Sequence, residues 1–250
     1  MAGHSKWANI KHRKERQDKK KGKVWSKCSR AIIAAARAGG GDPDTNLTLR
    51  YAIDEAKYAN MPKDTIQRAV DKGAGSAGGE DFQENVYEGY GPNGIAILVD
   101  SLTDNNTRTV NDLRAIFNKN GGNLGNAGCV AFMFETRGQI VVEASKTDED
   151  TIMTVAIDAG AADVEAPEDD DGAWTILTDP GEFLAVRDAI EKAGIEIADA
   201  EITKIPGSTV ALEGEAARKL LNLLDLIEDH DDVQKVYSNA DIPDDVLAGG

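Results

Sequence analysis

A chain of 250 residues with 41% hydrophobic side chains can bury one large core or two to three small ones. Aromatics make up only 5%, so those cores are expected to be built from Val, Ile, Leu and Ala. A formal charge of −16 excludes a surface that attracts nucleic acid everywhere, and apolar runs such as Ile95–Val99 fall far short of the roughly 20 residues that a membrane span needs.

The first element is a basic arm, expected over residues 1–22. Residues 1–37 hold twelve Lys or Arg against two acids, a net of +10, which leaves −26 on the other 213 residues. Such an asymmetry points to a polyanionic partner for one end only. The arm is too polar to build a core of its own and reads as a segment that orders on binding. No apolar stretch follows its charges, so it does not read as a secretory leader. Cys28 and Cys129 have no paired spacing, which suits free thiols and a cytoplasmic location. In that setting the glycosylation triplet Asn46-Leu47-Thr48 carries no meaning.

A helical domain is expected over residues 23–75. Its first helix runs from about Lys23 to Ala38 and closes at Gly39-Gly40-Gly41. At 100° per residue, Lys23, Lys27, Arg30 and Arg37 fall within about 80° of one another, while Val24, Cys28, Ala31, Ile32 and Ala35 form another side. A second helix, 44–59, buries Leu49, Ala52, Ile53 and Ala56, with Asp42 as a cap or turn ahead of it. A third starts at Pro62, buries Ile66, Ala69 and Val70, and stops at Gly73. Ala74–Glu80 reads as a linker.

The texture then changes to strands. Val86–Tyr90 and Ile95–Leu102 flank the turn Gly91-Pro92-Asn93-Gly94. A helix with Val110, Leu113, Ile116 and Phe117 inward ends at Gly121-Gly122, and Cys129–Phe134 reads as a further strand. Two strand–helix–strand passes follow: 139–144, 148–159 and 162–166, then 173–178, 181–193 and 195–205, with Thr147 as cap of the first helix. A last helix presents Ala217, Leu220, Leu221, Leu224 and Ile227, before a strand at 233–237. These two elements are too few to fold alone. The class expected is α+β: a three-helix domain with a basic arm, plus two ferredoxin-like α+β domains. The middle one, 81–134 with 207–243, is interrupted by an inserted domain at 135–206.

The chemistry legible in the chain is phosphate binding. The candidate nucleic-acid-binding residues are Lys6, Trp7, Lys11, His12, Arg13, Lys14, Arg16, Lys19, Lys20, Lys21, Lys23, Lys27, Arg30 and Arg37. Lys and Arg release counterions from phosphates without regard to sequence, and a flexible basic arm can order along a groove. Trp7 and Trp25 could stack on unpaired bases, although Trp25 also has the position of a residue packing its helix onto the others. Anionic lipid suits the segment poorly, because no bulky apolar face accompanies the charge.

Other motifs fail by context. Gly89-Tyr90-Gly91-Pro92-Asn93-Gly94 spells a dinucleotide fingerprint but joins two strands, where the fingerprint must open a helix. Asp42–Asn46 resembles the start of a calcium loop, yet Leu47 stands where glycine is needed and Ile53 where glutamate is needed. Glu168–Asp171, and the acids Glu228, Asp229, Asp231 and Asp232 around His230, read as solvated loops. No serine sits in a nucleophile elbow and no Cys/His cluster has metal spacing, so no catalytic residue, metal or cofactor is expected.

The opening Met1-Ala2-Gly3-His4-Ser5-Lys6-Trp7-Ala8-Asn9-Ile10-Lys11-His12-Arg13-Lys14 resembles the start of the YebC/PmpR family. The resemblance continues in Asn60-Met61-Pro62, Tyr87–Pro92, Leu102-Thr103-Asp104-Asn105 and Asn123-Leu124-Gly125, and again in Glu228–Gln234 and Asn239–Pro243. Trp25 stands where that pattern has phenylalanine, and Cys28 where an aliphatic residue is commoner. The resemblance implies three domains, the middle one discontinuous. It also implies a regulator, described as DNA-binding and transcriptional in bacterial members and as a translational activator in a mitochondrial relative.

The expectation is therefore a non-enzymatic nucleic-acid-binding regulator of gene expression, first a DNA-binding transcriptional regulator. The alternative is a ribosome- or RNA-associated translation factor that relieves stalled synthesis. A divalent-ion hydrolase is the weakest reading, since nothing sets a nucleophile beside a base. The partners expected are DNA, or ribosomal RNA and the ribosome, with no membrane and no small-molecule substrate. A monomer is the working expectation for the oligomeric state.

Overall fold

The computed structural model describes residues 20–75, 82–167, 169, 172–243 and 246. The chain forms two compact units, one of Glu15–Met133 with Ser208–Ala240 and one centred on Phe134–Gly207.

The first unit begins with three helices, α1 (Lys21–Gly39), α2 (Leu47–Tyr58) and α3 (Lys63–Ala74). Their apolar faces meet in a core of Ile32, Ile33, Ala36, Leu49, Ala56, Ile66 and Val70, with Val24, Trp25, Ala31 and Ile53 partly buried against it. Asn46 starts α2 by accepting the Leu49 N–H at 3.1 Å, while its amide donates to the Ala35 and Gly40 carbonyls. The cap of α2 is thereby also the clasp that ties it to the end of α1. Asp42 makes the turn ahead of it, accepting from the Asp44 N–H. Gly73 does not end α3; the helix continues through Ala74. A Cβ at Gly73 would lie 2.6 Å from the Ile33 carbonyl oxygen and 2.7 Å from the Ala36 methyl. The glycine is there for helix-to-helix approach.

Trp25 packs in this bundle and donates its indole N–H to the Ala59 carbonyl at 3.0 Å. Trp25→Phe keeps an aromatic ring and loses that bond. The expected cost is about 1 kcal/mol, read as a lower denaturation midpoint with an unchanged m-value.

The same unit continues as a four-stranded antiparallel sheet. Strands β1 (Gln83–Tyr90) and β2 (Ala96–Thr103) form a hairpin with Gln83 opposite Thr103 and Tyr90 opposite Ala96. Helix α4 (Asn106–Lys119) and strand β3 (Asn123–Leu124) follow, and after the other unit come α7 (Gly214–Glu228) and β8 (Val233–Ser238). The sheet order is β3-β1-β2-β8. The central strand β2 reads Ala-Ile-Leu-Val without alternation because it is buried nearly throughout. Phe117 of α4 and Leu220 and Leu223 of α7 are fully buried and pack at Gly89, Gly91 and Gly122, where a side chain would collide with them.

Cys129–Phe134 is not a strand. Ala131–Met133 is a single 3₁₀ turn, and strand structure begins only at Phe134. The reason lies forty residues upstream, in a buried carboxylate described below.

The second unit runs β4 (Phe134–Glu143), α5 (Glu149–Asp158), β5 (Asp163–Glu165), β6 (Ala173–Thr178), α6 (Phe183–Lys192) and β7 (Asp199–Pro206). Its sheet order β5-β6-β4-β7, all antiparallel, is the split β-α-β of a ferredoxin-like fold. Ile140, Ile152, Ile176, Val186 and Ile190 are fully buried in its core. Asp148, not Thr147, caps α5, accepting from the Thr151 N–H at 2.9 Å and the Thr151 hydroxyl. Residues 195–198 precede β7 as non-strand, after Gly194 turns the chain at φ 78°.

Candidate nucleic-acid interface

Of the fourteen candidate residues, Lys6, Trp7, Lys11, His12, Arg13, Lys14, Arg16 and Lys19 lie outside the described residues. Lys20, Lys21, Lys23, Lys27, Arg30 and Arg37 are described, the first just ahead of α1 and the rest on it. Lys21 stands over the Trp25 ring at 5.5 Å, a cation–π contact on the exposed side of the helix.

Four of these cations share a neighbour. Lys20 Nζ lies 2.5 Å from Asp229 Oδ1, and Lys23 Nζ donates to the Asp229 carbonyl at 2.7 Å. Lys27 Nζ donates to the Glu228 carbonyl at 2.5 Å. Arg30 donates to the Asp231 carbonyl, lies 3.5 Å from Asp232 Oδ1, and stacks over the Phe82 ring. The stripe therefore runs along the C-terminal end of α7, which has no basic residue in its own last turn. A helix end exposes unpaired carbonyls and a partial negative charge, and cations from another helix satisfy both here. Burial holds the Lys27 ammonium below its ordinary pKa, against the pull of Glu228, Asp229 and Asp231. The Lys20 hydrogen bond, set against partial burial, keeps the Asp229 carboxyl below its usual range.

Of the acids around His230, Asp231 is exposed as a solvated loop would have it, but Asp232 is not. Asp232 is only 4% exposed. Its Oδ2 accepts from Arg108 Nη2 at 2.7 Å, the Thr109 hydroxyl at 2.8 Å and the Thr103 hydroxyl at 3.1 Å. Its main chain closes onto β2 through Leu102 N–H at 2.8 Å and onto the His230 ring at 3.1 Å. Burial would raise the Asp232 pKa, but these donors outweigh it and hold the carboxyl below the usual value. One side chain thus joins α1, β2, α4 and the turn after α7.

A second buried carboxylate shapes the other end of the sheet. Glu88, 6% exposed on β1, accepts from the main-chain N–H groups of Gly128 at 2.6 Å, Val130 at 2.7 Å and Ala131 at 2.7 Å. Burial opposes its ionisation, and the three donors prevail and lower its pKa. The tethered loop presents Phe132 at 79% exposure. Glu88, Thr103, Arg108 and Thr109 carry no local signal of these roles, and Asp232 reads as solvated in the sequence, because the decisive partners are distant along the chain.

Burial pushes the Cys28 thiol up to about 12, which disfavours its thiolate at neutral pH. Among the described residues, no group of three or more His, Cys, Asp or Glu is placed to hold a metal ion. No described helix is long and apolar enough to cross a membrane.

A basic helix docked on an acidic helix end, an α+β sheet unit and a ferredoxin-like unit define an α+β protein of segregated charge. Comparison with known proteins gives its family. The TACO1/YebC protein N-terminal domain matches residues 5–76, and the TACO1/YebC second and third domain matches residues 82–240. The chain belongs to the TACO1/YebC family. It is 51% identical over 246 residues to a probable transcriptional regulatory protein of Desulforapulum autotrophicum, covering 98% of each chain. A protein of the same description from Pseudomonas savastanoi is 53% identical over 247 residues, covering 99% of this chain and 98% of the relative. Among solved structures, the conserved hypothetical protein Aq1575 from Aquifex aeolicus superposes with a TM-score of 0.78 at 46% identity, covering 89% of this chain and 90% of that one.

Proposed function

We propose that this protein is a non-enzymatic regulator of gene expression that binds nucleic acid, DNA in the first place, through residues 1–37. The carrying observation is charge segregation, +10 on those residues against −26 on the rest. The relatives' description as probable transcriptional regulatory proteins supports a regulator. Cations on the arm neutralise phosphates and release counterions, while the acidic remainder repels the polymer and limits contact to one end. Lys6, Lys11, Arg13, Lys14, Arg16, Lys19, Lys20, Lys21, Lys23, Lys27, Arg30 and Arg37 supply the charge, with Trp7 available for stacking.

Replacing Lys11, Arg13, Lys14 and Arg16 by Ala should weaken duplex binding by at least about tenfold at roughly 0.15 M salt. It should also flatten the plot of log K against log salt by about 0.9 for each phosphate that is no longer neutralised. Fluorescence anisotropy across a salt series measures both. An unchanged slope would remove the arm from the interface. Co-sedimentation with ribosomes under excess duplex DNA separates the two polymers. Displacement by DNA supports the transcriptional reading, and retention would move the protein to translation.

A further inference from the structure

We propose that the C-terminal end of α7 is an internal phosphate mimic, which occupies the basic stripe of α1 and must be displaced before that stripe can hold a nucleic-acid backbone. The closed state of the stripe rests on the nucleic-acid reading above and goes beyond it.

The docked groups, three main-chain carbonyls and one carboxylate, are oxygen acceptors, as the oxygens of a phosphate backbone are. Lys23 and Lys27 donate to two successive main-chain carbonyls, of Asp229 and Glu228. Lys20 pairs with the Asp229 carboxylate and Arg30 takes the Asp231 carbonyl. Acceptor oxygens thus follow one another along the stripe, as they do along a polynucleotide strand. The Glu228, Asp229 and Asp231 side chains add formal charge to the partial charge of the helix end. Lys27 is half-buried beneath this contact, so it meets an outside phosphate only once α1 and the end of α7 part.

The contact is also built to release. Lys20 and Asp229 are 46% and 40% exposed, and exposed pairs contribute about 0–1 kcal/mol and weaken with salt. Asp232, close by in the chain, keeps Thr103, Thr109 and Arg108 when the stripe leaves and gives up only its 3.5 Å pair with Arg30. Undocking therefore leaves the turn anchored to the sheet while the stripe is exposed. The stripe joins the interface when a polyanion outcompetes α7.

Carbodiimide coupling of the full-length protein tests this, because it joins only an amine and a carboxylate already in contact. Peptide mass spectrometry should find Lys20 linked to Asp229 in the free protein. Saturating duplex DNA, or in a second arm structured RNA, should reduce that link several-fold. The Lys146–Glu196 link, from a 2.6 Å pair in the other unit, should not change. Binding is followed in parallel by anisotropy. An undiminished Lys20–Asp229 link in a protein shown to be saturated overturns the mimic and leaves nucleic-acid binding standing. Absence of binding to both polymers overturns both. Two variants supply a second readout. Asp229→Asn with Asp231→Asn should tighten binding by about three- to tenfold, whereas Glu149→Gln with Asp158→Asn, equal in charge and far along the chain, should change it less than about twofold. Equal tightening by both pairs would reduce the effect to net charge and sink the proposal.

Discussion

Asp232→Ala should lower the stability of the first unit by about 3 kcal/mol, the cost of removing one partner from a buried charged network. The expectation follows from what is left behind. Thr103 and Thr109 are fully buried, and both direct hydroxyls at the missing oxygen. Arg108 loses its 2.7 Å partner but keeps Asp104 at 2.9 Å and is half in solvent, so its share of the loss is small. Asp232→Asn, which retains one acceptor oxygen, should cost less. Chemical denaturation checks both. The pH dependence has a definite sign. The folded-state pKa lies below the ordinary 3.8, so the contribution of Asp232 is complete above about pH 4 and is lost as pH falls through the folded-state value. The difference between wild type and Asp232→Ala should accordingly shrink in acid. A difference that is flat down to about pH 2 would mean that the carboxylate charge contributes nothing.

What could be read in the sequence was set by local periodicity. The face of α1 carrying Cys28, Ile32 and Ala35, and the unbroken apolar run of β2, follow from patterns of helical and strand period, so the α+β class was accessible from the chain. The run Cys129–Phe134 shows where that logic fails. A short, mostly apolar run looks the same in a buried strand and in a tethered loop. The decision belongs to Glu88, which takes the N–H groups that a strand would need for its neighbour. Gly73 is a similar case. A glycine near a helix end reads as a stop, and only the position of α1 reveals it as a contact surface.

The stripe was legible as a stripe but not as a docked one. Spacing places Lys23, Lys27 and Arg30 on one side of α1, and says nothing of a turn about 200 residues later in the chain. An acidic run such as Glu228–Asp232 reads as solvated because most such runs are. Its distinguishing property is the burial of Asp232, which depends on three partners from two other elements. Charge asymmetry sets the basic end apart from the rest of the chain; the fold adds an acidic helix end already seated on the basic stripe.

Glu88→Ala should release the loop that follows β3, at a cost of about 2–3 kcal/mol. The Val130 N–H would be left facing a buried gap and those of Gly128 and Ala131 a partly buried one, and each hydrogen bond to a carboxylate is stronger than one between neutral groups. Glu88→Gln is the sharper variant. It preserves volume and one acceptor, yet presents an NH₂ to donors that need an oxygen, so it should recover only part of the loss. Hydrogen exchange gives the local readout: protection at Gly128, Val130 and Ala131 should fall by more than the global change while the β1–β2 amides follow the global value. Acid should mimic the mutation. The Glu88 pKa is held below its ordinary 4.5, so the loop keeps its tether above about pH 4.5 and loses it as pH drops through the lower, folded-state value. The exposed Phe132 makes the consequence concrete, because its position is set by the neighbouring Ala131 N–H on Glu88. If exchange at these three amides is the same in wild type and Glu88→Gln, the carboxylate does not hold the loop, and the apolar run would be free to pair as its sequence suggests.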